Sequence, residues 1–324
     1  MQQYLDLLKH TLESGREKTD RTGTGTISVF GTQNRYCLAN NKMPIVTTKK
    51  VFTDGVIKEL LWMLSGSTNI NALKEQGVNI WNEWATDNGE LGPVYGKMWR
   101  AFPASEQFGL GVKTRSVDQI KQLEDDLKNN PESRRHIVSG WNPALLPDTS
   151  LAPHENAAKG KQALPPCHTM FQFICEPMTL EERVDWHNKN IGTPLLEIGS
   201  ETGVEQALNE RNTPKYYLSC QLYQRSGDLF LGVPFNIMSY SLLTHMLAKT
   251  NNMVAREFIH TMGDAHIYKN HVEQVEKQLK RKPKTLPTVE FTGPNYESVL
   301  DFTADDIQII NYKHHAAIKG SVAV

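Results

Sequence analysis

QLYQRSGDLFLGVPFN (221–236) is the stretch on which the fold turns. Its first residues continue a strand predicted over 217–224, and the apolar run DLFLG reads as another over 228–232. Gly232 and Pro234 then mark a tight turn. Beyond them, Ser239 to Lys249 is apolar on most faces through Leu242, Leu243, Met246 and Leu247, which predicts a buried central helix. Further strands are predicted over 26–31, 136–141 and 168–175, where Val, Ile, Phe and Tyr cluster and several segments alternate with period two.

Helices fall between the strands. The spacing of Tyr4, Leu5, Leu8 and Leu12 predicts one over 2–14, with Gly15 as its C-cap. Val56, Leu60, Leu61 and Leu64 stripe another over 53–64, and Gly66 lies beyond its end. Ser116 and Gln119 have capping-box spacing and open a third, which stops before Pro131. A last helix is predicted from Ala265 to Lys280, ahead of Pro283. Helices and strands interleave from end to end with no repeat or low-complexity linker, which points to an α/β or α+β fold. Two stretches interrupt the pattern. Residues 148–163 are polar, and 177–215 is long and mixed, with capping-box spacing at Thr179–Glu182 and Thr202–Glu205; both read as surface excursions.

The 324 residues give a soft prior of about two domains. Charged residues are 22% and hydrophobic ones 39%, an ordinary globular balance. Lys plus Arg is 35 and Asp plus Glu is 36, so the net charge is −1 and argues against a general grip on nucleic acid or an anionic membrane. No apolar stretch approaches the ~20 residues of a membrane span. MQQYLDLLKH places charges where a signal peptide needs an apolar core. The expectation is an unexported, cytoplasmic protein.

Four cysteines form no CxxC pair, and the eleven histidines make no metal-ligand pattern. One cysteine stands apart. In LPPCHTMFQF (164–173) two prolines fix the backbone before Cys167, at the head of an apolar strand. A rigid bend presenting a thiol suits a nucleophile, but a thiol with a pKa of ~8.5 needs a cation to ionise at neutral pH. Neighbouring strand residues face opposite ways, which turns His168 away from the sulfur and favours an arginine from elsewhere over it as the cation. Arg225 offers one, and Ser226, Asp228 and Asn236 are further polar side chains in apolar surroundings that call for partners. Arg134–Arg135 in PESRRHIVSGWN and Arg21 in RTGTGT add cations of the kind that bind phosphate bidentately. RTGTGT itself lacks the third glycine and the preceding strand of a dinucleotide fingerprint, and no P-loop occurs.

Taken together these segments resemble the thymidylate synthase family. The resemblance rests on DRTGTGT (20–26), PIVTTKK (44–50), KELLWMLSGSTNI (58–70), IWNEWATDNGELGPVYGKMWR (80–100), SRRHIVSGWN (133–142), LPPCH (164–168), LSCQLYQRSGDLFLGVPFNIMSYSLL (218–243), GDAHIYKNH (263–271) and the terminal VAV (322–324). It implies one three-layer α/β domain over 1–324, with a central mixed sheet packed against its counterpart in a homodimer. It implies conversion of dUMP to dTMP, with 5,10-methylenetetrahydrofolate as co-substrate, no metal and no nucleic acid.

Carried onto matching positions, the resemblance makes Cys167 the nucleophile, with Glu59 and Tyr95 managing proton transfers. Asp228 and Asn236 join them as catalytic residues. Arg21, Arg225 and Ser226 would hold the phosphate, and Arg134 and Arg135 would reach the partner subunit's phosphate. His266 and Tyr268 would bond the ribose, and Asn236 would read the pyrimidine. Asp228, Trp81, Gly232 and Val324 would form the folate side, with Val324 closing the site. The sequence departs from the family at His314 and Ala316, where prolines are usual, and at Lys50 and Phe52, where some members have Arg and His.

The nearest alternative is a deoxypyrimidine hydroxymethylase of the same superfamily. Asn236 argues against its cytosine-specific form, while Trp81 and the tail argue against the uracil-specific one because both exclude water. A cysteine hydrolase would leave the four arginines and Asn236 without a purpose, and an RNA binder conflicts with the net charge.

Overall fold

The computed structural model describes residues 1–19, 23–108, 111–192 and 200–322. In chain order the elements are α1 (Gln2–Ser14), β1 (Arg16–Lys18), β2 (Thr26–Cys37), α2 (Thr53–Leu64), α3 (Asn71–Glu75), α4 (Tyr95–Arg100), β3 (Phe102–Phe108), β4 (Gly111–Val117), α5 (Gln119–Asn129) and β5 (Ile137–Ser139). There follow α6 (Pro153–Ala158), β6 (His168–Pro177), α7 (Leu180–Asn190), α8 (Glu201–Glu210), β7 (Tyr216–Asp228), α9 (Gly232–Thr250), β8 (Val254–Tyr268), α10 (Val272–Leu279), β9 (Thr288–Phe291) and β10 (Ile307–Ile310).

A mixed six-stranded sheet runs β1–β2–β8–β7–β6–β5. Its neighbours are antiparallel except β7 and β8, which are parallel. A parallel pair needs a crossover rather than a hairpin, and α9 supplies it. This explains why α9 is apolar on most faces: fourteen of its residues, from Val233 to Ala248, are buried. It packs on β7 and β8 on one side and on α2 on another. The helix α1 lays Tyr4, Leu5 and Leu8 onto β2 and β8. Among the described residues nearly all buried hydrophobic side chains form one contiguous cluster; Met178, Leu208 and Ile259 lie outside it.

The expected α/β architecture and the helices over 2–14 and 53–64 are borne out. Four expectations need correction. The strand over 228–232 does not form. Asp228 Oδ1 accepts the backbone N–H groups of Phe230 at 2.9 Å and Leu231 at 3.2 Å, which turns the chain at the end of β7 and starts α9 at Gly232. Pro234 is tolerated because it lies in the first helical turn, where no N–H bond is owed. The expected helix from Ala265 is strand as far as Tyr268, because β8 is paired on both edges there, Ala265 with Val29 and with Gly227. A 3-10 turn over Lys269–His271 follows, and the α-helix begins only at Val272.

Ser116 does not cap α5: β4 continues through Val117, and Asp118 takes the Lys121 N–H at 3.0 Å. Arg100 holds that carboxylate in place with an ion pair at 2.7 Å. Gly15 does end α1, but in extended backbone; glycine is needed there because a Cβ would meet Thr11 O at 2.3 Å.

Of the excursions, 177–215 carries α7 and α8. Thr179 and Glu182 form the expected capping box on α7, whereas α8 is capped by Ser200 rather than Thr202. Buried Arg183 binds the Pro214 carbonyl at 3.1 Å and Asn209 Oδ1 at 2.8 Å, joining the excursion's two ends. Among the described residues no helix is long and apolar enough to cross a membrane.

Candidate active site

Cys167 sits at the head of β6, immediately after the Pro165–Pro166 bend. Its backbone is fixed from two sides. The Cys167 N–H donates to Tyr95 Oη at 3.0 Å, and the Arg225 N–H donates to the Cys167 carbonyl at 2.7 Å. The Arg225 guanidinium folds back on the same bend, donating to Pro166 O and Pro165 O, each at 3.3 Å, and stands 3.6 Å from Cys167 Sγ. The sequence requirement for a distant arginine beside the thiol is therefore met by Arg225. Burial pushes the thiol above its ordinary pKa while the Arg225 charge and hydrogen bond pull it down, and burial prevails. The sulfur of the free protein thus rests mainly as the thiol, with the cation in reach to stabilise the thiolate.

Tyr95, at the start of α4, is buried and opens a row of aromatic contacts. Its ring centroid lies 5.1 Å from that of His168 and 6.0 Å from that of Trp81. Trp81 Nε1 donates to Glu59 Oε1 at 2.8 Å. Burial raises the Glu59 carboxyl to about 7 against the opposing pull of that hydrogen bond. A carboxyl with this pKa can both give and take a proton at neutral pH. His168 is held neutral, lowered to about 4 by burial.

At the start of α9, Asn236 has a buried Oδ1 that makes no close hydrogen bond among the described residues, and its side chain interacts with His168. Gly232 precedes it by one helical turn, and a Cβ there would stand 3.9 Å from that oxygen. Asp228 spends Oδ1 on the turn that positions both. Nearby, buried Lys49 donates to the Phe230 carbonyl and lies 3.6 Å over the Phe230 ring. Burial lowers Lys49 to about 8, with the Asp228 charge opposing.

The largest convergence is a cleft of about 670 Å³ lined by Cys167, Arg225, Ser226, His266 and Tyr268 together with Lys18, Trp84 and Asp264. Five of the expected site residues therefore share one space. His266 Nδ1 lies 2.8 Å from Asp264 Oδ2, and Lys18 Nζ lies 3.3 Å from Asp264 Oδ1. Burial favours the neutral Asp264 carboxyl, but the His266 and Lys18 contacts outweigh it and hold the group at about 2.

Asp264, Lys18 and Trp84 were missed by reasoning from sequence. Asp264 had a usable signal: in GDAH it is two residues from His266, which in a strand puts both on one face. Reading that segment as helix hid it.

Arg134 and Arg135 do not reach this cleft. They are exposed beside β5, and among the described residues neither is in an ion pair. Arg21 and Val324 lie outside the described residues. Near the C-terminus, His271 Nε2 contacts the Ser321 carbonyl at 2.8 Å. At the two positions lacking the usual prolines, Lys284 Nζ binds the His314 carbonyl at 3.1 Å and Arg281 binds the Ala316 carbonyl at 2.6 Å. Among the described residues no three His, Cys, Asp or Glu side chains form a metal-holding group.

A half-buried thiol beside a guanidinium, with a carboxyl poised near neutrality, on a mixed sheet covered by helices, defines an enzyme built for covalent and acid–base chemistry on a small anionic substrate. The chain belongs to the thymidylate synthase family, whose model matches residues 2–324. It is 46% identical to the thymidylate synthase of Francisella philomiragia subsp. philomiragia over 324 residues, the full length of both chains. The family places it among folate-dependent methyltransferases of dTMP biosynthesis.

Proposed function

We propose that the protein converts dUMP to dTMP by reductive methylation, in a single catalytic domain that works in the cytoplasm as a homodimer. The observation that carries this reading is Cys167 Sγ held 3.6 Å from Arg225 on a backbone clamped by Tyr95. The co-substrate, 5,10-methylenetetrahydrofolate, supplies the one-carbon unit and the hydride and leaves as dihydrofolate. No step is assigned to a metal.

In this reading Arg225 and Ser226, with Arg21, bind the 5′-phosphate, and His266 and Tyr268 bind the ribose. Asn236 meets the pyrimidine edge, its amide offering the acceptor and donor that N3–H and O4 require. The bound phosphate draws on the Arg225 charge, so Cys167 gives its proton to water in the cleft as it adds to C6 of the ring, and the C5=C6 electron pair moves onto C5 and O4. Addition makes C5 nucleophilic. Glu59 exchanges protons at O4 and the folate, and Tyr95 assists removal of the C5 proton. Trp81, Asp228, Gly232 and Val324 form the folate side and keep water out. Arg134 and Arg135, exposed and without an ion pair among the described residues, serve the phosphate of the other subunit.

The test is incubation with dUMP and methylenetetrahydrofolate while absorbance of dihydrofolate is followed. One dihydrofolate per dTMP is expected, with loss of both in Cys167→Ala. Hydroxymethyl-dUMP formed without dihydrofolate would overturn the reading.

A further inference from the structure

Residues 148–163 form a compact loop with no role in the chemistry above. It leaves and returns at one point, because the Gln162 N–H donates to the Leu145 carbonyl at 3.0 Å. Its return is anchored by Ala163 N–H to Leu91 O at 2.9 Å and Gln162 Nε2 to Pro93 O at 3.0 Å. Inside, the buried Asn156 amide is a hub. Its Oδ1 accepts the Asp148 N–H at 2.7 Å, and its Nδ2 donates to the carbonyls of Asp148, Leu151 and Ala152 at 3.0–3.3 Å. Glu155 closes the first turn of α6 by accepting the Ala152 N–H at 2.7 Å. A loop whose backbone is tied to one buried amide in this way holds one shape.

That shape faces the reacting thiol. Leu151 and Pro153 line the same cleft as Cys167, Arg225, Ser226 and His266. Among the described residues lining it there is no Glu59, Trp81, Asp228 or Asn236. The loop therefore meets the part of the site that carries Arg225, Ser226 and His266, and Trp84, 5.9 Å from Trp81, stands at its other margin.

We propose that residues 148–163 are a fixed wall of the nucleotide cleft, with Leu151 and Pro153 as positioning residues that enclose the phosphate-bearing end of the nucleotide. This rests on the proposed nucleotide reading of the site. Apolar side chains against the guanidinium–phosphate contact displace water, and a charge pair is stronger where the local dielectric is lower. The wall acts on how long the nucleotide stays, and not on the chemical step.

The test uses the full chain in three variants: Leu151→Ala, Leu151→Met as the conservative rescue, and replacement of 148–160 by Gly-Asn. The replacement is geometrically open because the flanking backbones are already hydrogen-bonded. For each variant the dUMP dissociation constant, the dUMP dissociation rate, the folate KM, kcat and the melting temperature are measured. The dUMP constant should rise roughly tenfold in the replacement and about threefold in Leu151→Ala, mostly through faster dissociation. Leu151→Met should restore it, and the folate KM should move less than the dUMP KM. Unchanged dUMP binding in a folded replacement variant would overturn the proposal, as would a rise in folate KM alone. If the replacement does not fold, unchanged binding in Leu151→Ala has the same force. Failure of the unmodified protein to make dTMP would instead remove the functional reading beneath it.

Discussion

Glu59→Gln separates the electrostatic cost of the site from its chemistry. Glutamine keeps an oxygen for the 2.8 Å bond from Trp81 Nε1 but cannot ionise. Burial raises the Glu59 carboxyl from 4.5 to about 7, so between those values the native state holds a proton that the unfolded chain has released. Stability must then fall as pH rises through this window. At about 1.36 kcal/mol per pKa unit the whole shift corresponds to about 3 kcal/mol per subunit, of which about 2.5 falls between pH 5 and pH 8. Glu59→Gln lacks that contribution. Relative to the unmodified protein it should be close in stability at pH 5 and more stable at pH 8, while kcat falls by about 10²–10⁴ because the proton relay is gone. Urea unfolding of both proteins at the two pH values, at one fixed protein concentration, gives the difference of differences. Identical pH dependence in the two proteins would refute the claim that the Glu59 carboxyl is raised by burial.

Arg225→Ala should weaken dUMP binding by about 10–100-fold, since a charge-assisted bond of about 1.5–3 kcal/mol is lost. It should also slow alkylation of Cys167 by iodoacetamide at pH 8, because the cation that lowers the thiol pKa is removed; equal rates would contradict the 3.6 Å pairing. Tyr95→Phe strands the Cys167 N–H, costing about 1–3 kcal/mol where that group is shut off from water. A lowered denaturant midpoint together with reduced kcat is expected, and kcat loss with no change in midpoint would show that the backbone clamp is not needed for stability. Mixing inactive Arg134→Ala and Cys167→Ala subunits should restore part of the activity, and no recovery after confirmed subunit exchange would exclude a shared site.

Much of the fold was legible because α1 and α2 are governed by local periodicity. Where the reading failed, a longer-range or single-residue effect overrode local preference. DLFLG has the composition of a strand, yet one carboxylate oxygen on Asp228 turns the chain. AHIYKNH has helix-compatible spacing, yet pairing on both edges extends β8 across its first residues. Neither the capping competition at Asp118 nor the parallel crossover through α9 can be read from a window of ten residues.

The site divides in the same way. Cys167 was conspicuous because two prolines and a strand head are a local signature, and the need for a remote cation followed from thiol chemistry before any partner was known. Which cation met that need is a fact of topology. Arg225 reaches the thiol because β6 and β7 are neighbours, paired His168 to Gln224, with an irregularity between His168 and Met170 at that end. The strand pairing therefore places the nucleophile and its counter-charge with one device, and the turn at Asp228, three residues beyond Arg225, uses the same strand to launch Asn236 on α9. A change in the β6–β7 register would displace the thiol, the cation and the Asn236 amide together. Gln224 braces that strand end: its Oε1 lies 2.8 Å from Nε2 of buried His260 on β8, and its Nε2 donates at 2.9 Å to the Ser226 carbonyl. It fixes the strand end from which the whole constellation projects.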